Sequence, residues 1–315
     1  MKTKFIIFLL LYCTGSLCAQ TLTIGSYNLR NKNDWDTSNG NGWDQRLPYI
    51  CGLIRTNFFD IIGTQEVLNS QLNDLLKGLP EYNYIGVARD DGKTQGEYAA
   101  IFYRKSRLKL LENGNFWLSE ITDRPNKGWD ASLPRICTWG KFQEIKSKKH
   151  FWFFNLHMDH IGIEARKESA KLILKKVKEM CDDDIVILTG DFNVDQHSDS
   201  YKLLHNSNLL NDSHEVADIR YAPNGTFNDF NPTLFTESRI DHIFVTTPVK
   251  VKSYSVLTDT YRVPVAESNK NLKSGNFPKE VSLKQYEIRV PSDHYPVKVL
   301  IDIAKIIKRK RTNSC

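Results

Sequence analysis

The sequence contains no apolar run approaching the roughly 20 residues needed to cross a bilayer, no internal repeat, no low-complexity tract and no Pro- or Gly-rich linker. A membrane span is therefore not expected, nor are a solenoid, a propeller or a string of separate domains. Cysteine is scarce. The six residues are Cys13, Cys18, Cys51, Cys137, Cys181 and Cys315. None has metal-type spacing, and such scattered thiols in a long chain do not make a disulfide framework. A dominant charge is also missing. The formal net charge is +6, but it includes Lys2 and Lys4 at one end and Lys305, Lys308, Arg309, Lys310 and Arg311 at the other. Without those seven, the body stands at about −1 by charge counting. It lacks the pervasive positive field of a protein that grips long nucleic acid.

What is present begins with a leader. Lys2 and Lys4 precede an apolar run from Phe5 to Tyr12, and small and polar residues follow down to Ser16-Leu17-Cys18-Ala19. A basic start, a short apolar core and a small-x-small end predict a secretory signal over residues 1–19, and hence a secreted or periplasmic protein. Attachment as a lipoprotein through Cys18 is disfavoured by the bulky Leu17 before it. Residues 20–304 then form one domain, large enough to bury a sizeable core. Residues 305–315 form a basic tail, read as a solvated end.

Strand patterns dominate. Runs at Leu22–Leu29, Asp60–Gln65, Tyr82–Val87, Tyr98–Tyr103, Leu108–Trp117, Thr138–Ile145, His150–His157, Ile185–Thr189, Arg239–Val245, Val249–Leu257 and Pro296–Ile303 are apolar or alternate apolar with polar residues. Helical periodicity appears over Trp43–Thr56, Gln71–Leu79 and Glu164–Met180, the last with Ala165, Leu172, Ile173, Val177 and Met180 along one stripe. The mixture predicts an α+β fold, with two packed sheets and helices outside them. Turn-rich stretches at Asn31–Gly42, Thr122–Gly128 and Asn211–Thr233 are where a site would be built. The polar segment Arg262–Val290 reads as a loop or small excursion beside that site.

Acids, amides and histidines recur where strands end. Asn28 closes Ser26-Tyr27-Asn28 and Glu66 closes Gly63-Thr64-Gln65-Glu66. His157 ends the run Phe153–His157. Asp191 and Asn193 sit in Gly190-Asp191-Phe192-Asn193, Asp241 in Arg239-Ile240-Asp241-His242, and Asp293 and His294 in Ser292-Asp293-His294-Tyr295. Each alone is explained by turn chemistry. Together they supply hard oxygen ligands of the kind that suits Mg²⁺ and two histidines for acid–base or phosphate contacts. A phosphate ester needs charge neutralisation, an activated water and a stabilised leaving oxygen.

With Asn28 and Glu66 ahead of them, Gly190-Asp191-Phe192-Asn193 and Ser292-Asp293-His294-Tyr295-Pro296-Val297 give the chain a pattern that resembles the endonuclease/exonuclease/phosphatase superfamily. That group includes deoxyribonuclease I, apurinic endonucleases, neutral sphingomyelinases, inositol-polyphosphate phosphatases and eukaryotic deadenylases. Tyr27-Asn28-Leu29-Arg30, Gly96-Glu97, Phe116–Glu120 and Gly128-Trp129-Asp130 resemble a secreted bacterial branch. The resemblance implies a four-layer α/β/β/α sandwich of two mainly antiparallel sheets and hydrolysis of a phosphodiester or phosphomonoester with Mg²⁺ (or Mn²⁺). It implies Asn28, Glu66 and Asp293 as the metal site. Asp191 and Asn193 would polarise the attacking water. His294 would act as base or stabilise the phosphate, held by Asp241. His157, oriented by Glu97, would bind the phosphate or protonate the leaving oxygen.

Arg30 and Arg135 are candidates for pairing with phosphate, and Trp117 for stacking on a substrate ring. Three substrate classes stay open: nucleic acid, a small or sugar phosphate, and a phospholipid head group. The opposing class is a binding protein that kept the fold and lost catalysis. Such drift erases acid–base or ligand positions, and all of them are present here.

Overall fold

A computed structural model describes residues 21–247, 249–266, 278 and 280–303. The expected signal at 1–19 and the basic tail at 305–315 lie outside the described residues. The strands are β1 (Thr21–Asn28), β2 (Ile61–Gln65), β3 (Tyr82–Ile85), β4 (Ile101–Arg104), β5 (Leu108–Trp117), β6 (Ile136–Glu144), β7 (His150–His157) and β8 (Ile185–Asp191). They continue with β9 (Leu210–Asp212), β10 (Ile219–Tyr221), β11 (Asp241–Thr246), β12 (Lys250–Val256), β13 (Tyr261–Pro264), β14 (Tyr286–Arg289) and β15 (Val297–Asp302). The helices are α1 (Asp34–Ser38), α2 (Trp43–Thr56), α3 (Asn69–Gly78), α4 (Ile163–Cys181), α5 (Asp199–His205) and α6 (Ser213–Val216).

One sheet runs β10-β12-β15-β1-β2-β4-β3, the other β5-β6-β7-β8-β11-β9, and β13-β14 form a separate ladder. Most pairings are antiparallel. The parallel ones are β1–β2, β7–β8 and the short β10–β12. A parallel pair needs a crossover, and helices α2 and α4 lie within the connections of the first two.

The sheets pack face to face. Their shared interior holds Leu22, Ile24 and Ile61 from one and Phe151, Phe153, Ile187 and Ile243 from the other. The outer face of the first is covered by α2 and α3 through Ile50, Ile54, Leu72 and Leu75. The outer face of the second is covered by α4 and α5 through Ala170, Ile173, Val177 and Tyr201. This is the four-layer sandwich. In α4 the buried stripe runs Ala165, Ala170, Ile173, Val177, Cys181, so Leu172 and Met180 stand at its margins rather than within it. The Arg262–Val290 segment contributes the β13–β14 ladder.

A polar layer locks the two sheets together close to the site. Gln65 Nε2 donates to Asn155 Oδ1 at 2.7 Å, Thr189 Oγ1 donates to the same oxygen at 3.0 Å, and Asn155 Nδ2 donates to the carbonyls of Thr64 and Ala100. All are fully buried. Gly63 faces this layer, and a Cβ there would run into the Asn155 amide and the Thr189 hydroxyl, so glycine is required for the close approach.

Candidate active site

Strand register brings the site together. His157 on β7 pairs with Asp191 on β8, and Asp191 pairs with Asp241 on β11, so three chemical side chains stand in one row across the second sheet. On the first sheet, Asn28 ends β1 beside Gln65, which places Glu66 next to it. Asp293 and His294 lead into β15, the antiparallel neighbour of β1. From these rows Glu66, His157, Asp191, Asp293 and His294 line one cavity of about 710 Å³.

Asp191 is its hub. Asn28 Nδ2 donates to Asp191 Oδ2 at 2.9 Å and to Glu66 Oε1 at 3.0 Å, and the Asn193 amide donates to Asp191 Oδ1 at 2.9 Å. The Nε2 atoms of His157 and His294 lie 3.6 and 3.8 Å from the same Asp191 Oδ2. Asn28 thus holds two carboxylates side by side, while its own oxygen accepts from the Arg30 amide at 3.0 Å.

The two histidines differ in charge. Burial pulls His157 well below its ordinary value, and Arg135 and Arg89 push the same way; it is neutral. Its Nε2 lies 3.2 Å from Asn193 Nδ2. His294 is also penalised by burial, but Asp241 and Asp191 outweigh this and raise it well above its usual value. Asp241 Oδ2 lies 2.9 Å from its Nδ1. Burial raises Asp191 to about 7, with Asp241 adding to the shift and His294 and Asn28 opposing it. Asp293 rises to about 6 through burial and the nearby Glu66, against His294 and Arg30.

Those crowded, raised carboxylates are what a divalent cation would relieve, so the donor set fits such an ion. Ligand atoms of Glu66, His157 and Asp191 lie within 4.8 Å of one another, as do those of Asp191, Asp241 and His294. Asp293 lines the same cavity but belongs to neither trio. Its Oδ2 is drawn towards Arg30 Nη1 at 3.5 Å, and its Oδ1 accepts from Ser292 Oγ at 3.3 Å.

One sequence expectation is qualified and one corrected. Glu97 faces His157 at ion-pair rather than hydrogen-bond range, with Oε2 3.9 Å from Nδ1. The same carboxylate is fixed by Asn31 Nδ2 at 3.1 Å and Arg89 Nη1 at 2.5 Å. Trp117 is not a substrate contact. It is buried against Ala99 and Ile136, its indole N–H donates to the Arg89 carbonyl at 2.8 Å, and it does not line the cavity.

Arg30 and Arg135 do line it. Arg30 grips Asp36 through Nε at 2.8 Å and Nη2 at 3.3 Å. Arg135 is buried, with Nε on Asp159 at 3.2 Å and Nη2 2.9 Å from His160 Nδ1. Its Nη1 has no hydrogen-bond partner among the described residues. Asp159 is itself fixed by the amides of Ile161, Gly162 and Leu133.

Sequence reasoning missed Arg89, Asn31, Asp36, Phe227, Asp229 and Phe230, all on the cavity wall. Asn31, Asp36 and the last three fall in turn-rich stretches, which was the only signal; Arg89 carried none. Arg30, Glu66, Asn193, Asp229 and Phe230 have left-handed backbone, making five of the ten non-glycine residues that do among those described. Such strain persists only where surrounding structure enforces it and gathers at functional sites, which singles out this cavity.

A sandwich with this cavity at the strand ends is the architecture of a metal-assisted phosphoesterase. The match to known proteins is direct: a model of the Endonuclease/Exonuclease/phosphatase family covers residues 25–294, and the chain belongs to that family, whose members are metal-dependent phosphoesterases and nucleases. A crystal structure of a Bacteroides thetaiotaomicron protein of the family is 53% identical with a TM-score of 0.82, over 89% of this chain and 97% of that one. A mannosyl-6-phosphatase from the same species is 52% identical with a TM-score of 0.81, over 89% and 99%. A protein of Acanthamoeba polyphaga mimivirus is 32% identical over 163 residues, 49% of this chain. The chain spans 60% of the length of that curated relative. No helix among the described residues is long and apolar enough to cross a membrane.

Proposed function

We propose that this protein is a secreted, Mg²⁺- or Mn²⁺-dependent phosphomonoesterase acting on sugar phosphates. The observation that carries the reading is Arg135. This buried arginine, whose Nη1 has no hydrogen-bond partner among the described residues, is among those lining the cavity that also holds the Glu66–Asp191 carboxylate pair. A terminal phosphate placed there meets both a cationic donor and a metal-binding cluster. The 52% identity to a mannosyl-6-phosphatase along nearly all of that chain supports the sugar class, and the near-neutral charge count of the body does not favour a grip on long nucleic acid.

Glu66 would be the first ligand of the ion, with Asp191, His157 and Asp293 around it. When bound, the ion neutralises charge on the phosphate oxygens and lowers the pKa of a coordinated water. Asp191, oriented by Asn28 and the Asn193 amide, is placed to take the proton of the attacking water. His294, kept cationic by Asp241, donates to a non-bridging oxygen as negative charge gathers there. His157 is neutral and held through Asn193, so it positions the phosphate rather than serving as a ready acid.

The test is turnover by the purified mature protein of hexose 6-phosphates, a nitrophenyl monoester, a nitrophenyl diester and single-stranded DNA and RNA, with Mg²⁺ or Mn²⁺. Monoester hydrolysis that chelator abolishes and added metal restores is expected. Preference for diester or nucleic acid would overturn the monoesterase reading, and no metal-dependent turnover would overturn the enzymatic one.

Arg135→Lys should weaken competitive inhibition by inorganic phosphate about tenfold or more, with Tm little changed. An ammonium cannot hold Asp159 and present a second planar donor at once. Unchanged inhibition would remove Arg135 from the phosphate site.

A further inference from the structure

A second cavity, of about 670 Å³, adjoins the first, and Asn39, Asn41 and Phe230 line both. We propose that it is a carbohydrate subsite, which receives the sugar residue that follows the phosphorylated one in an oligosaccharide. The proposal rests on the sugar phosphatase reading above and extends it from a free sugar phosphate to a phosphorylated glycan.

The chemistry of the wall selects the ligand. Beyond the shared residues it offers Asn231, Thr233 and Thr260 as neutral hydrogen-bonding side chains, and Pro232 and Ile288 as apolar surface. Among the described residues its one cation is Arg289, whose Nη2 pairs with Glu287 at 2.9 Å. The Nη1 of Arg289 donates to the Asn39 carbonyl and to Asn41 Oδ1, both at 3.0 Å. The opposing carboxylate thus offsets that charge, and among the described residues the wall adds no further cation for a second phosphate. A nucleic-acid strand extending from the first cavity would bring such a phosphate and find no unpaired cation among those lining residues. A pyranose brings hydroxyls for the amides and threonines and a C–H face for the ring and apolar side chains. The volume lies in the usual range for a ligand pocket.

The two cavities are also mechanically joined. The amides of Asn228 and Asp229 donate to the Asp293 carbonyl at 2.8 and 3.3 Å. The loop that carries Phe230, Asn231 and Pro232 is therefore fastened to the backbone of a site residue. Phe230, at the junction, is held in left-handed backbone (φ 55°) with the Arg46 guanidinium 5.3 Å from its ring centroid. A sugar seated beside this ring would set the position of the phosphorylated residue next to it. Remote binding of that kind raises kcat/KM for the longer substrate.

The experiment compares a hexose 6-phosphate with the same residue carrying a second hexose on C1, in the wild type and in Ile288→Trp, which fills the second cavity from a half-exposed position. The wild type should prefer the phosphorylated disaccharide by tenfold or more in kcat/KM. Ile288→Trp should abolish that preference while leaving kcat/KM for the monosaccharide phosphate within about twofold. Equal rates on both substrates in the wild type, or a preference that survives in Ile288→Trp, would overturn the subsite. If neither sugar phosphate is hydrolysed, the functional reading fails by itself. Calorimetric titration with the unphosphorylated disaccharide then decides the subsite: binding by the wild type that Ile288→Trp weakens tenfold supports it, and no binding overturns it.

Discussion

Asp191→Asn is expected to lower kcat about 10³-fold while moving Tm by only about 2–4 °C. The carboxylate is the one group that touches every part of the site: Asn28 and Asn193 donate to it, and both histidines lie within 3.8 Å of it. An amide of the same shape keeps the packing but cannot take a proton from water. Burial and Asp241 already raise the Asp191 carboxyl to about 7, so removing its charge relieves a repulsion. That gain offsets the mismatch between two amide nitrogens where Asn28 now donates. Thermal unfolding and steady-state kinetics on the same preparation separate the outcomes. A fall in Tm comparable to that of a core deletion would make Asp191 a structural carboxylate, and retained kcat would remove it from the chemistry.

The sandwich was readable because its central strands are buried on one or both faces, and their apolar runs end within a few residues of where the ladders end. The elements that escaped have no such signature. Strand β10 is exposed along its whole length, β14 nearly so, and α5 and α6 are too short for a periodic stripe to declare itself. The same contrast governs the site. Glu66, His157, Asp191 and His294 stand at strand ends, where pairing register carries them to one cavity, and Asn28 and Asp241 stand buried against them. Arg89 and Phe230 reach it from loops and Asp36 from the one-turn helix α1, whose paths depend on tertiary contacts that local sequence does not encode. Trp117 was a candidate because an indole can stack on a substrate ring. Its side chain instead packs beneath the Arg89 turn, where the indole N–H finds a carbonyl.

Three segments that border the site meet at Arg46, and Arg46→Met is expected to destabilise the protein by about 3–5 kcal/mol, or roughly 10 °C in Tm. The side chain is fully buried and has no carboxylate directly on it. Its hydrogen bonds run to four carbonyls: Leu29 at 2.7 Å, Arg30 at 3.2 Å, Asn41 at 2.8 Å and Pro291 at 2.9 Å. These belong to the exit of β1, the turn before α2 and the segment leading to Asp293 and His294. Methionine fills the space but orphans four buried acceptors, each costing about 1–3 kcal/mol if left unpaired; partial rearrangement or entering water brings the total down to the range given. Lysine restores the charge but not the fork, so Arg46→Lys should recover only part of the stability. Because the carbonyls flank Asn28, Arg30 and Asp293, kcat/KM should fall further than the unfolded fraction accounts for, measured well below Tm. A Met variant with Tm within about 2 °C of the wild type and full activity would show that the three segments hold their places without the guanidinium.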